Sequence, residues 1–259
     1  MSWPSSKLIG VLHLPPLPGS PGWEGGALEA VLARAKADYN HLADSGFDAI
    51  IVENFGDAPF FKEDVPAITL TTMTRILTEI DDGRIPMGVN VLRNDAHGAL
   101  AVAAATNASF IRVNVHTGAM LTDQGVIEGR AAETMRRRRE WASDVQVFAD
   151  VAVKHAQPLA PIDLVQTAKD TLYRGRADAL IVTGQGTGQG ASLDDVALIK
   201  SNVPDAIVLV GSGVHQDNAA SVLKVADGVI VGTALKVDGV VQNPVDPVRA
   251  RSFVAEARR

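Results

Sequence analysis

The chain contains no cysteine, which excludes disulfides, thiolate nucleophiles and cysteine-ligated metal sites together. It also lacks a basic surplus: 24 Lys and Arg against 30 Asp and Glu give a formal charge of −6. Binding along a nucleic-acid backbone needs a clear cationic excess, so nucleic acid is not the expected partner. A local basic pocket for one small phosphate stays compatible with that balance. No apolar run approaches the ~18 residues of a membrane span. The opening Met1-Ser-Trp-Pro-Ser-Ser-Lys7 has no charged segment followed by an apolar one, so no secretory leader is expected and the expected location is cytoplasmic. There is no low-complexity tract or interdomain linker, and residues 1–259 read as one domain.

What the chain does have is alternation. Runs rich in Val and Ile fall at 7–14, 48–55, 86–92, 110–116, 145–154, 177–184, 206–213 and 227–235. Near-continuous apolar runs of this kind suit parallel strands covered on both faces. Helical stretches follow them near 27–45, 67–82, 95–107, 130–143, 162–174, 192–202, 216–226 and 246–257. Helix starts are signalled by Asp163, Ser192 and Gln216-Asp217. Eight β-then-α units in 259 residues predict a single (β/α)₈ barrel, whose typical length is about 250 residues. An open doubly wound sheet is the alternative. The connections leaving the strands (15–26, 56–66, 117–129 and 185–191) are longer than those entering them. That asymmetry places function at the C-terminal face of the strands.

Glycine turns close the last two strand runs: Gly211-Ser212-Gly213 and Gly232-Thr233. Adjacent loops after the seventh and eighth strands are where such barrels grip phosphate, because glycine lets backbone amides approach an anion. Gly184 and Gly186 lie in the preceding loop. Gly186-Thr-Gly-Gln-Gly-Ala191 also satisfies a dinucleotide-binding pattern, but eight βα units argue against that use. Four consecutive arginines, Arg136 to Arg139, point all round a helix and read as solvated surface.

Polar residues enter six strand ends. Asp150 and Lys154 share a face of the fifth strand with Gln146 by period two, and Arg112, Asn114 and His116 share a face of the fourth. His13, Glu53, Asn90 and Thr183 end or line the others. A desolvated Lys154 can form a Schiff base or, when charged, stabilise an enolate. Glu53 and Asp150 are candidate general bases, with His13, His116 and His155 as proton shuttles. Histidines and carboxylates together make a divalent metal possible, although no HxH or HExxH spacing supports one.

Several stretches together resemble the BtpA/SgcQ family almost end to end. They include Gly10-Val-Leu-His-Leu-Pro-Pro-Leu-Pro-Gly19, Glu53-Asn-Phe-Gly-Asp-Ala-Pro-Phe60 and Asn90-Val-Leu-Arg-Asn-Asp95. Arg112-Val-Asn114, Thr122-Asp-Gln-Gly-Val-Ile-Glu-Gly129, Asp150-Val-Ala-Val-Lys-His155, Asp178-Ala-Leu-Ile-Val-Thr-Gly184 and Val210-Gly-Ser-Gly-Val214 complete the set. The resemblance implies a barrel of the ribulose-phosphate-binding kind. One branch of that family is described as assisting photosystem I accumulation, another as lying among sugar-uptake and sugar-metabolism genes.

The expected function is an enzyme acting on a small phosphorylated sugar or related metabolite, as an aldolase-type lyase or an isomerase. Lys154, Glu53, Asp150 and His13 would carry the chemistry. Asn90, Arg112, Asn114, Thr183, Gly184, Gly186, Gly211, Ser212, Gly213, Gly232 and Thr233 would bind substrate. No cofactor is firmly implied, and self-association into a homo-oligomer is expected. The alternatives are glycosidic cleavage by Glu53 and Asp150 as paired carboxylates, or a non-catalytic assembly factor.

Overall fold

A computed structural model of the protein describes residues 7–26, 28–153, 155–184 and 190–259. Among them lie eleven strands: β1 (Lys7–His13), β2 (Ala49–Glu53), β3 (Met87–Asn90), β4 (Phe110–Val113), β5 (Ala119–Thr122), β6 (Gly125–Glu128), β7 (Gln146–Ala152), β8 (Ala156–Pro158), β9 (Ala179–Val182), β10 (Val208–Val210) and β11 (Gly228–Val231). The helices are α1 (Glu29–Ser45), α2 (Ala67–Ile80), α3 (Ala96–Ala105), α4 (Ala131–Trp141), α5 (Leu164–Lys169), α6 (Leu193–Asn202), α7 (Ala219–Leu223) and α8 (Pro247–Ala257). Strands β1, β2, β3, β4, β7, β9, β10 and β11 pair in parallel in that order, and β11 returns to β1 through Lys7 opposite Gly228. The sheet is therefore a closed (β/α)₈ barrel, not an open one.

Period-two alternation sorts each strand between two cores. Ile9, Val11, Ile51, Phe148, Ile181 and Ile230 are among the residues that fill the barrel interior. Phe110 stacks on Phe148 with ring centroids 4.6 Å apart, and Gly88 leaves the space that the Phe110 ring occupies. The residues between them, such as Leu8, Leu12, Ile50 and Val52, face outward into the core shared with the helices. Each such side chain contributes roughly 1.5–3 kcal/mol on full burial.

The N-terminal face carries a device used three times. Asp48, Asp178 and Asp227 precede β2, β9 and β11, and each accepts the backbone N–H of a neighbouring strand. Asp48 takes Leu8 at 2.8 Å, Asp178 takes Val147 at 2.7 Å and Asp227 takes Val208 at 2.8 Å. Each is also paired with a cation: Arg258 at 2.9 Å, Arg138 at 3.0 Å and Lys200 at 2.7 Å, respectively. The three segments read Asp48-Ala-Ile-Ile-Val, Asp178-Ala-Leu-Ile-Val and Asp227-Gly-Val-Ile-Val.

Two local differences from the sequence reading bear on the site. Part of the 117–129 connection is a β-hairpin, β5–β6, turning at Asp123-Gln124, and β8 pairs antiparallel with β5. Met120 and Ile127 of this small sheet pack on Val115 and Val153. Helix α7 also starts later than Gln216-Asp217 suggests. Asn218 stands at its N-cap, accepting from the His215 N–H at 2.9 Å and donating to the Gly213 carbonyl at 3.0 Å. The start signals at Asp163 and Ser192 do cap their helices, Asp163 through Val165 and Gln166 and Ser192 through Asp195.

Removing a clamp should be costly because the strand amide loses its acceptor. Asp227→Ala is expected to destabilise by about 1–3 kcal/mol, whereas Lys200→Ala, which removes a partly exposed ion pair and one hydrogen bond to the Ala206 carbonyl but leaves the strand amide its acceptor, should cost less, about 1 kcal/mol. Urea midpoints of the two variants check the order.

Candidate functional site

Following the inward positions up each strand, the apolar interior ends in one layer. His13 stands above Val11, Glu53 above Ile51, Asn90 above Gly88, Arg112 above Phe110, Asp150 above Phe148 and Thr183 above Ile181. At the last two places, above Leu209 and Ile230, stand Gly211 and Gly232. Six polar side chains thus face a notch where two adjacent strands contribute none, and a cavity of about 190 Å³ opens there. His13, Glu53 and Arg112 line it on one side, and Gly211–Gly213 and Gly232–Thr233 on the other.

Close approach explains the two glycines. A Cβ on Gly211 would lie 2.6 Å from Ile181 Cγ2, and one on Gly232 would lie 2.8 Å from His13 Cε1. Gly213 is needed for a different reason: its φ of +68° is a conformation that side chains disfavour. Among the described residues, no acceptor within the protein takes the amides of Gly213, Val214, Thr233 or Ala234, which leaves these donors for a ligand. The late start of α7 removes the helix terminus that the sequence suggests behind Gly213, so amides rather than a helix dipole supply the positive potential. The Gly184 N–H donates to Ser212 Oγ at 2.7 Å and ties the loop after β9 to that after β10.

The opposite wall is a buried ionic network. Arg112 donates through Nε and Nη2 to the two oxygens of Asp150 at 3.2 and 3.1 Å, and through Nη1 to Glu53 Oε1 at 3.3 Å. Asn114 donates to Asp150 Oδ2 at 2.9 Å, and Asn90 to Asn114 at 3.3 Å. Burial disfavours the Arg112 charge, but Asp150 and Glu53 outweigh it and raise the guanidinium above its ordinary pKa. The second Glu53 oxygen faces His13 Nε2 at 3.7 Å, and the imidazole lies against the Phe55 ring with centroids 4.6 Å apart.

Not every candidate joins this layer. Lys154 and Gly186 lie outside the described residues, as does most of the Gly186–Ala191 pattern. A bulge between Asp150 and Ala152 interrupts the β7–β9 register, so the strict alternation of faces along β7 stops at Asp150. His116 turns away: its Nε2 bonds the Gly175 carbonyl at 2.8 Å, and burial lowers its pKa. His155 is exposed beside a separate, wide cleft that Thr183 and Gly184 also line. Among the described residues, no cluster of three or more His, Asp or Glu is arranged to hold a metal ion.

Two buried cations escape sequence reading. Arg93, three residues beyond the end of β3, is 5% exposed. Lys236, which looks like any loop lysine, is 0% exposed. Its Nζ donates to the Val11 carbonyl at 3.3 Å and lies 3.7 Å from Asp38 of α1. Burial pushes this ammonium down to about 8, against the attraction of Asp38. Asp38 in turn accepts from the Val245 N–H at 2.8 Å, so the pair anchors the segment following the Gly232–Thr233 turn.

Arg112→Met would leave two buried carboxylates without their cation and should destabilise by about 3–5 kcal/mol in urea titrations. The Lys236 pKa is lower folded than unfolded, so its neutral form is the stabilising one. That contribution is complete above 10.5 and is lost as pH falls through about 8. Relative to Lys236→Met, the protein should therefore gain on the order of 3 kcal/mol between pH 7.5 and 10.5; parallel denaturation curves would expose this difference.

The model of the BtpA family matches residues 5–259. Among curated proteins, the photosystem I biogenesis protein BtpA of Synechocystis sp. PCC 6803 is 47% identical over 250 residues, covering 96% of this chain and 87% of the relative. The sgc region protein SgcQ of Escherichia coli K12 is 34% identical over 263 residues, covering 98% and 97%. Among solved structures, N-(5'-phosphoribosyl)anthranilate isomerase from Pyrococcus furiosus superposes with a TM-score of 0.58 at 16% identity, covering 98% of both chains. At that identity the likeness is one of fold.

Proposed function

The chain belongs to the BtpA family, and from that premise we propose that it is an enzyme acting on a small phosphorylated sugar or sugar-like metabolite, by aldolase-type lyase or isomerase chemistry. The observation that carries this reading is the glycine notch, with unused amides on one wall and an acid–base layer on the other. The phosphate would sit on the amides of Gly213, Val214, Thr233 and Ala234, which replace its water without reorganising. The rest of the substrate would then extend over His13, Glu53 and Arg112. The fold likeness to an isomerase whose name specifies a phosphoribosyl compound is in keeping with this.

The hydrogen bonds suggest a division of labour. Asp150 takes the Arg112 fork and Asn114 together, so we assign it to holding the guanidinium in place. Glu53 keeps one oxygen toward His13 and is the better base, drawing a proton from carbon beside a carbonyl while His13 moves protons to and from oxygen. Arg112, held charged, stabilises the enediolate that results. For the lyase variant Lys154 is the Schiff-base candidate, and Thr183 and Asn90 orient hydroxyls. Glycosidic cleavage by Glu53 and Asp150 fits less well, because one guanidinium already engages both carboxylates.

A second reading has its own support. The 47% identical relative is named for photosystem I biogenesis, and a barrel can serve in assembly without catalysing anything. Ligand binding separates the two. Inorganic phosphate at ten times its Kd should raise the melting temperature by roughly 3–6 °C, and Gly232→Val should abolish the rise. A flat response to phosphate and to a panel of phosphorylated sugars would favour the assembly reading. Borohydride added with those sugars should leave a covalent adduct on Lys154 if the reaction is of the Schiff-base lyase type; an unmodified lysine across the panel would leave the isomerase.

A further inference from the structure

A second cavity, of about 340 Å³, lies between the loops that follow β1, β2 and β3. Pro21 of the first loop lines it, with Phe60, Phe61 and Val65 of the second and Leu92 of the third, and Asp57 stands among them. It shares no lining residue with the glycine notch. Its walls are tied together. The Gly56 N–H donates to the Leu14 carbonyl at 3.0 Å, and a Cβ on Gly56 would strike the backbone of Pro15 and Pro16. The Leu92 N–H donates to Asn54 Oδ1 at 2.7 Å, and the Arg93 N–H to the Phe61 carbonyl at 3.0 Å. A concave, mostly apolar space of this size, with a few polar groups on a fixed frame, is the usual form of a small-molecule site.

Asp57 gives this cavity its chemistry. It is 8% exposed. Oδ1 accepts from the Leu17 N–H at 2.8 Å and Oδ2 from Asn54 Nδ2 at 3.1 Å. With Ser20 beside them, every group that reaches the carboxylate is neutral, and among the described residues no lysine or arginine is paired with it. The other buried carboxylates are all compensated. Asp38 meets Lys236 and Arg34, and Glu53 and Asp150 meet Arg112. Asp95 caps the N-terminus of α3, where the helix supplies positive potential. Asp57 has neither a cation nor a helix terminus, and burial pushes its carboxyl up against the pull of its hydrogen bonds. Roughly half of its ~four acceptor positions remain unused, so a cation brought in by a ligand would be strongly favoured there.

We infer that this cavity binds a small organic ammonium, an amine whose nitrogen donates to Asp57 while its apolar body lies against Phe60, Phe61 and the neighbouring prolines. Aromatic walls suit both ends of such a ligand, through dispersion toward the body and cation–π attraction toward the charge. Phe61 is 56% exposed, so an occupant would cover apolar surface that now meets water. The sign of the charge follows from Asp57: an anion would be repelled, and a neutral alcohol would leave the buried carboxylate uncompensated. The site is independent of the phosphate reading of the notch. It begins at Asn54, the residue after Glu53, so its occupant would rest on the loop that leaves the proposed base.

Three probes that share one body test it by NMR titration at neutral pH: phenethylamine, 2-phenylethanol and phenylacetate. The amine should shift the amides of Phe61 and Thr69 and bind about tenfold more tightly than the alcohol, with the acid weaker than both. Thr69 lines the cavity from α2, and Thr69→Phe, which fills the space, should remove amine binding. Phe61→Ala, which takes away an exposed wall, should weaken it about fivefold or more. Asp57→Asn should bring amine and alcohol within about twofold of each other; if that variant does not fold, the order of the probes and the Thr69→Phe result decide. The inference is overturned by an alcohol or acid that binds as tightly as the amine, or by amine binding that survives Thr69→Phe. An amine preference retained in Asp57→Asn, or no amine-induced shift at Phe61 and Thr69, would overturn it equally.

Discussion

The mouth of the barrel is organised by one buried charge. The Arg112 guanidinium cannot sit inside the strand cylinder unless its charge and its donors are satisfied there. Asp150 of β7 and Glu53 of β2 meet that requirement from two sides. Once they do, Asn114 is drawn in to complete the hydrogen bonds of Asp150, and Asn90 donates to Asn114 behind it. The acid–base character of the site is therefore a consequence of accommodating an arginine. Glu53 faces His13 with one oxygen because Arg112 holds the other.

The cavity has the complementary origin, in what β10 and β11 leave out. Two neighbouring strands reach the polar layer with glycine, and the neighbouring Ile181 and His13 side chains press so close that no larger residue fits. Room for a ligand and tight packing of the barrel wall are thus the same feature. The amides that face the room come from turns, not from the end of a long helix, so any anion bound there would be held by directed hydrogen bonds.

Much of this could be read from the chain because alternation is a strong signal. The period-two rule puts Glu53, Asn90, Arg112 and Asp150 on inward faces, and the eightfold count gives the barrel. The rule stops where the backbone departs from regularity. The β7 bulge ends its reach at Asp150, and His116 leaves the lumen once β4 has ended and bonds Gly175 instead. The hairpin β5–β6 carries its own alternation around Asp123-Gln124, but within an eight-unit count it reads as one more connection. Arg93 and Lys236 have no local signature at all, since their burial is decided by loops far apart in sequence: Phe61 and Asn54 for one, Val11 and Asp38 for the other.

The three aspartate clamps did have a signature, a repeated Asp-[Ala/Gly]-x-Ile-Val, and their position gives it meaning. Each pins one strand to its neighbour at the end of the barrel remote from the site. In a sheet whose side chains alternate, a slip of one residue would carry every inward residue to the outside. Ile51, Ile181 and Ile230 each stand three residues after a clamping aspartate, and Glu53, Thr183 and Gly232 follow two further on. The clamps thus work as rulers, measuring out from the floor of the barrel which residue of three strands arrives at the reactive layer.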